Sequence, residues 1–187
     1  MPGVLDPLVR RSDKARLRVA VICFVAFGLG LGAVGGLAWW RLVDLPTYRV
    51  GEEGRSATSE RGLAGFLSGD AWFCVVGTVV GLALGIVAWR RFRDIGWSVV
   101  LIGTLTAVAA ALICWDVGLR LGPQDFNSRL ADAQPGDLVP IDLALRTRVS
   151  LLSWPFFAVV PILLGSSLGR DDEDPSPVLR PPVRDSS

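Results

Sequence analysis

The chain has 187 residues, 19 of them basic and 18 acidic, and contains no histidine. The near-balance of charge gives no bulk attraction for nucleic acid, and without an imidazole there is no base for a Ser-His-Asp or Cys-His nucleophile and no His-held haem or zinc. Hydrophobic residues make up 51% of the chain, and their gathering into four long uncharged runs excludes both an ordinary water-soluble globule and a disordered chain.

Residues 1–18 form a basic segment carrying Arg10, Arg11, Lys14, Arg16 and Arg18. The first uncharged run follows, Val19 to Trp40. Ala33 and Gly35 mimic a signal-peptidase site, but the run continues to the Trp39-Trp40 pair, which favours an uncleaved signal-anchor helix. The second run is Ala71 to Trp89, the third Ile95 to Trp115 and the fourth Val149 to Leu168. At ~1.5 Å per residue each covers about 28 to 33 Å, enough for a ~30 Å hydrocarbon core. Backbone polar groups inside lipid must be satisfied within their own segment, so each run is expected to be a helix. The expected fold class is therefore an all-α membrane protein, with four transmembrane helices in an antiparallel bundle occupying residues 19–168.

Basic residues beside the runs set the expected orientation. The N-terminal segment, the link with Arg90, Arg91 and Arg93, and the C-terminal segment with Arg170, Arg180 and Arg184 hold most of them. The positive-inside rule then places both termini in the cytoplasm and leaves two extracytoplasmic loops of about 30 residues. Trp39, Trp40, Trp72, Trp89, Trp97, Trp115 and Trp154 all lie at or near the end of a run. An indole is mostly apolar with one donor, so all seven are expected as anchors at the headgroup level.

Gly28, Gly32 and Gly36 repeat at i, i+4 and i+8 in the first run, and Gly77, Gly81 and Gly85 do so in the second. Each triplet bares one face of a helix and permits close backbone approach. The expectation is an antiparallel hairpin of spans one and two with these faces in contact; a homo-oligomer through one of them is the alternative. Gly103, Ala107 and Ala111 repeat the pattern in span three. Pro155 and Pro161 each remove a donor from span four, which is expected to be kinked. No Asp, Glu, Lys or Arg lies within any run, which argues against a proton relay or charged pore. Thr78, Ser98, Thr104 and Thr106 are expected to bond across helices or back to their own carbonyls. Asp116 and Arg120, at i and i+4, are placed to pair. Cys74 and Cys114 fall near the same surface, but Cys23, Cys74 and Cys114 all read as small apolar filler.

The first outer loop holds an extended stretch from Leu45 to Val50 and a turn at Gly51-Glu52-Glu53-Gly54. The second has Gly122-Pro123 and Gln134-Pro135-Gly136-Asp137 as punctuation, with a short helix expected over Phe126 to Ala133. Asp132, Asp137 and Asp142 lack a calcium-loop pattern and read as solvated surface. The two halves share a layout of span, loop and span, with Ala71-Trp72-Phe73 and Ser153-Trp154-Pro155-Phe156-Phe157 opening spans two and four, which suggests duplicated hairpins. Residues 169–187, with Asp171-Asp172-Glu173-Asp174 and four prolines, are expected to be a disordered cytoplasmic tail.

The glycine-rich first span ending near Trp40 is followed by Gly69-Asp70-Ala71-Trp72-Phe73 leading into Gly77-Thr78-Val79-Val80-Gly81. With Ala88-Trp89-Arg90-Arg91, the Gly118 to Gly122-Pro123 stretch and Gly136-Asp137, this ensemble resembles the small four-span actinobacterial membrane proteins grouped as a domain of unknown function. The likeness runs from about Leu17 to Leu168. It implies a multi-pass plasma-membrane protein and carries no catalytic residue. The residues lead to a non-enzymatic accessory or scaffolding component of the cell envelope. Its expected partners are the bilayer and other envelope proteins or itself, with no cofactor, no metal and no nucleic acid. A small transporter or channel subunit is the alternative, and a membrane enzyme using Asp70 or Asp137 comes third.

Overall fold

The computed structural model describes residues 6–43, 45, 47–49, 60–134 and 136–168, and it is mostly helical. In chain order the elements are α1 (Asp6–Leu42), β1 (Thr47–Arg49), α2 (Glu60–Phe92), α3 (Ser98–Leu121), α4 (Phe126–Ala131), β2 (Leu138–Pro140) and α5 (Ser153–Leu168). Single 3₁₀ turns at Arg93–Ile95 and Arg148–Leu152 precede α3 and α5. Four helical stretches are long and apolar enough to cross a membrane: Lys14–Leu42, Ser68–Ile95, Ser98–Ala131 and Arg148–Leu168. Hydropathy marks where lipid can surround a helix and not where the helix stops. α1 therefore takes in most of the basic N-terminal segment, and α2 begins at Glu60, eleven residues ahead of the apolar run. The C-terminal segment and the Gly51–Gly54 turn lie outside the described residues.

The ends of the helices have local causes. Between α2 and α3 the chain turns at Gly96, with φ 68° and ψ −142°, a conformation that a Cβ would oppose. Gly122 closes α3 by donating its amide to the Gly118 carbonyl at 2.9 Å, and Pro123 follows, which disfavours a helical residue before it. The two prolines of α5 are placed differently: Pro155 lies near its start and Pro161 in its interior. Pro155 sits in the first turn, where its amide has no carbonyl to lose.

The helices do not pair as the glycine spacing suggested. α1 and α2 do not present their glycine faces to each other. A Cβ built on Gly28 would strike Thr106 Cγ2, one on Gly32 would reach Ala110 Cα at 2.9 Å, and one on Gly36 would reach the Cys114 carbonyl oxygen at 2.7 Å. The α1 triplet thus lies on α3. The α2 triplet lies on α5: Gly77 against the Trp154 indole, Gly81 against the Trp154 carbonyl oxygen at 2.6 Å, and Gly85 against Ala158 and the Pro161 Cδ at 3.1 Å. Partner numbers rise together in both sets, so each tight pair runs in the same direction. The offset between partners is 78 residues for α1 with α3 and 73 to 77 for α2 with α5. The same contact mode joins corresponding spans of the two halves.

The interior is built from small residues and a few large rings. Ala88, Ala107, Ala110, Ala111, Cys114 and Ala158 are fully buried beside Leu84, Phe73, Trp39 and Trp154. Leu84, Val99 and Ile162 are buried with them, but many of the large aliphatic residues point the other way. Val19, Ile22, Val34, Val79, Leu105 and Phe156 are each at least 60% exposed. Gly103 is also interior, with its missing Cβ held 2.9 Å from Ile162 Cδ1.

Candidate functional site: an ordered cap over a closed bundle

Three threads tie one end of the bundle together. The first is aromatic. Trp39 of α1 meets Phe73 of α2 edge-on with ring centroids 5.2 Å apart, and Phe73 meets Trp154 of α5 at 5.7 Å. The second is polar and begins on the same ring. Trp39 Nε1 donates to the Gly69 carbonyl at 2.7 Å, inside the core. The next residue, Asp70, is 8% exposed, and its two carboxylate oxygens accept the backbone amides of Arg146 at 3.0 Å and Thr147 at 2.9 Å. A carboxylate held by two amides is a charge-assisted clamp. It fixes the segment that leads into α5 onto α2 at the start of its apolar stretch.

The third thread is the pairing of the two loops. β1 and β2 form an antiparallel two-stranded sheet with Thr47 opposite Pro140 and Arg49 opposite Leu138. Beside it, Arg129 of α4 makes a 2.6 Å ion pair with Asp142. Asp142 also accepts the Phe126 amide at 3.2 Å. It thereby caps α4 from a distance, because Asp125 has a left-handed φ of 60° and makes no cap bond of its own. Asp137 accepts the Gln134 amide and closes a turn. Asp137 and Asp142 therefore serve separate local bonds. Among the described residues no three His, Cys, Asp or Glu side chains come together as a metal group.

The seven tryptophans divide. Trp97 is 74% exposed, and Trp40, Trp72, Trp89 and Trp115 are half-buried. Trp39 and Trp154 are fully buried, which corrects their reading as headgroup anchors. Both are enclosed because glycines facing them leave room for a ring: Gly118 lies against Trp39 and Gly77 against Trp154. Trp89 similarly lies on Gly165, its Cδ1 2.7 Å from the place of a Cβ. Trp40 carries the Arg41 guanidinium over its face at 4.9 Å.

No protein-family model, curated protein or solved structure matches the chain. The site's chemistry therefore rests on its own residues. Thr78 and Thr106 donate back to the carbonyls of Cys74 and Ile102 within their own helices. Cys23, Cys74 and Cys114 are free thiols. Asp116 and Arg120 form an exposed 2.9 Å ion pair. Both oxygens of Asp70 are committed to backbone amides, an arrangement suited to holding a loop in place. The sequence offered Asp70 as a loop carboxylate for a membrane enzyme and gave no sign of its two amide partners. The nearest signal for its clamp was its position just ahead of an apolar run, where a charge is costly unless bonded.

Proposed function

We propose that this protein is a multi-pass integral protein of the plasma membrane and acts as an accessory or scaffolding component of the cell envelope. In this reading the four spans form an up-and-down bundle with antiparallel neighbours and both termini in the cytoplasm. The loop assembly of β1, β2 and α4 then stands outside as a contact surface for other envelope proteins. The likeness to four-span actinobacterial membrane proteins belongs to the same proposal.

The observation that carries it is the outward-facing belt of large apolar side chains on four helices that meet through glycine and alanine. Gly and Ala carry the closest helix contacts, while all four spans also turn many large apolar side chains outward, among them Ile22, Val34, Val79, Leu105, Phe156 and Leu164. Helices in lipid gain little by hiding large apolar side chains, and they associate through close backbone contact instead. In water the same outward apolar belt would be a large exposed patch of the kind that drives association. The absence of ionisable residues from the apolar runs and the backbone-level contact of the helices favour a contact role over solute passage.

Affinity capture of the full chain from mild detergent tests the proposal. A stoichiometric envelope partner that is lost when Arg129 and Asp142 are both replaced by Ala supports it. Solute flux through liposomes containing this protein alone would overturn it in favour of a transporter.

A further inference from the structure

The end of the bundle opposite the cap is less closed. α1 packs most closely on α3 and α2 on α5, which leaves a groove between α1 and α2. It has a volume of about 700 Å³, within the ~300–1,000 Å³ typical of small-molecule sites. Its walls are apolar, with Val19, Ala20, Phe24, Phe27 and Val87 among them, and its mouth carries two guanidinium groups, Arg16 and Arg91. Phe24 packs edge-on against Phe92 at 5.5 Å and closes the floor.

The depth of the two arginines is informative. Arg16 precedes the first apolar run by three residues, and Arg91 follows the second by two. Both stand where hydrocarbon gives way to headgroups. Exposed Lys14 and Arg18 add positive charge on the same helix, and among the described residues no acidic side chain lines the groove. Asp94, the acid that follows Arg91 in the chain, is within 3.8 Å of Arg93. A ligand that complements this arrangement carries an anion at headgroup depth and hydrocarbon directly beneath it.

Resting on the membrane-spanning reading, we infer that the α1–α2 groove is a binding site for an anionic phospholipid. The phosphate lies between Arg16 and Arg91, and an acyl chain follows Ala20, Phe24 and Phe27 down α1. Guanidinium groups present paired donors to phosphate oxygens, which favours phosphate over a zwitterionic surface at the same place. Basic recesses between transmembrane helices are suited to such headgroups. The helical spacing of Arg16, Ala20, Phe24 and Phe27 puts the whole track on one face of α1.

The test uses the full chain reconstituted into vesicles of equal parts phosphatidylcholine and phosphatidylglycerol, followed by native mass spectrometry of the protein with its retained lipid. Wild type is expected to retain phosphatidylglycerol selectively. Arg16→Gln with Arg91→Gln is expected to reduce that selectivity by roughly fivefold per arginine, about twenty-five-fold for the pair. The control Arg90→Gln with Arg93→Gln, which removes the same charge outside the groove, is expected to leave it nearly intact. Equal losses in the two double variants would show diffuse surface attraction and overturn the site, as would wild type retaining both lipids alike. Vesicle flotation separates this from the parent reading. A chain that floats with the vesicles but shows no lipid preference sinks only the groove, and a chain that does not float sinks both.

Discussion

Replacing Gly81 by Ala adds a single methyl group at the contact between α2 and α5. The new Cβ would stand 2.6 Å from the Trp154 carbonyl oxygen and 3.2 Å from the Ala158 amide nitrogen, whereas ordinary contact begins near 3.4 Å. The difference between 3.4 and 2.6 is 0.8 Å, and it must be made up by main chain, because neither obstructing atom belongs to a side chain that can rotate away. Parting two packed surfaces by ~0.5–1 Å forfeits a quarter to a half of their dispersion attraction. Overpacking of this kind costs about 1–3 kcal/mol. The same exchange at Gly30, where nothing lies within 4 Å, meets open space and carries only the helix-propensity gain of up to ~1 kcal/mol. Reversible unfolding in mixed micelles, followed by tryptophan fluorescence, compares the two. Gly81→Ala is expected to lose about 1–3 kcal/mol while Gly30→Ala holds or gains slightly. Equal behaviour of the two variants would refute the glycine contact as the basis of helix pairing.

Other outcomes follow from the cap and the thiols. Trp39→Phe removes the indole donor to the Gly69 carbonyl, which keeps its place in the α2 ladder, and is expected to lower stability by about 0.5–1.5 kcal/mol in the same unfolding assay. Asp70→Ala is expected to raise hydrogen exchange at the Arg146 and Thr147 amides by at least tenfold, while exchange within α3 stays unchanged; unaltered exchange at both amides would remove the clamp. Cys23, exposed on the side of α1, is expected to react with a lipid-soluble maleimide in intact membranes, and buried Cys114 to stay unlabelled until the bundle is dissolved in denaturing detergent.

Some of this structure was legible in the sequence. The four apolar runs located the four candidate spans, because exposure to hydrocarbon is a property of composition along one segment. The glycine triplets located a bare face on α1 and on α2. Spacing within one helix, however, carries no information about which other helix arrives at that face, and Ala110 and Ala158 proved to be the neighbours. Tryptophan position was ambiguous for a related reason. A ring at the end of a run is equally at home among headgroups or under a neighbouring helix, and Gly118 and Gly77, each distant in sequence from its ring, decide for burial of Trp39 and Trp154. The pairing of Thr47–Arg49 with Leu138–Pro140 joins three-residue strands about ninety positions apart, too short for periodicity to register. The groove at Arg16 had a readable signal, an arginine followed by apolar residues at four-residue intervals, but its second wall at Val87 and Arg91 depended on how α1 and α2 meet.

The account depends most on hydrocarbon surrounding the outward-facing Val, Leu, Ile and Phe of the four long helices. Alkaline carbonate washing of membranes containing the full chain measures this directly, because it strips peripheral proteins and leaves spanning ones in place. The chain is expected to remain wholly in the membrane pellet and to be released by detergent alone. Recovery of the intact chain in the carbonate supernatant would contradict it.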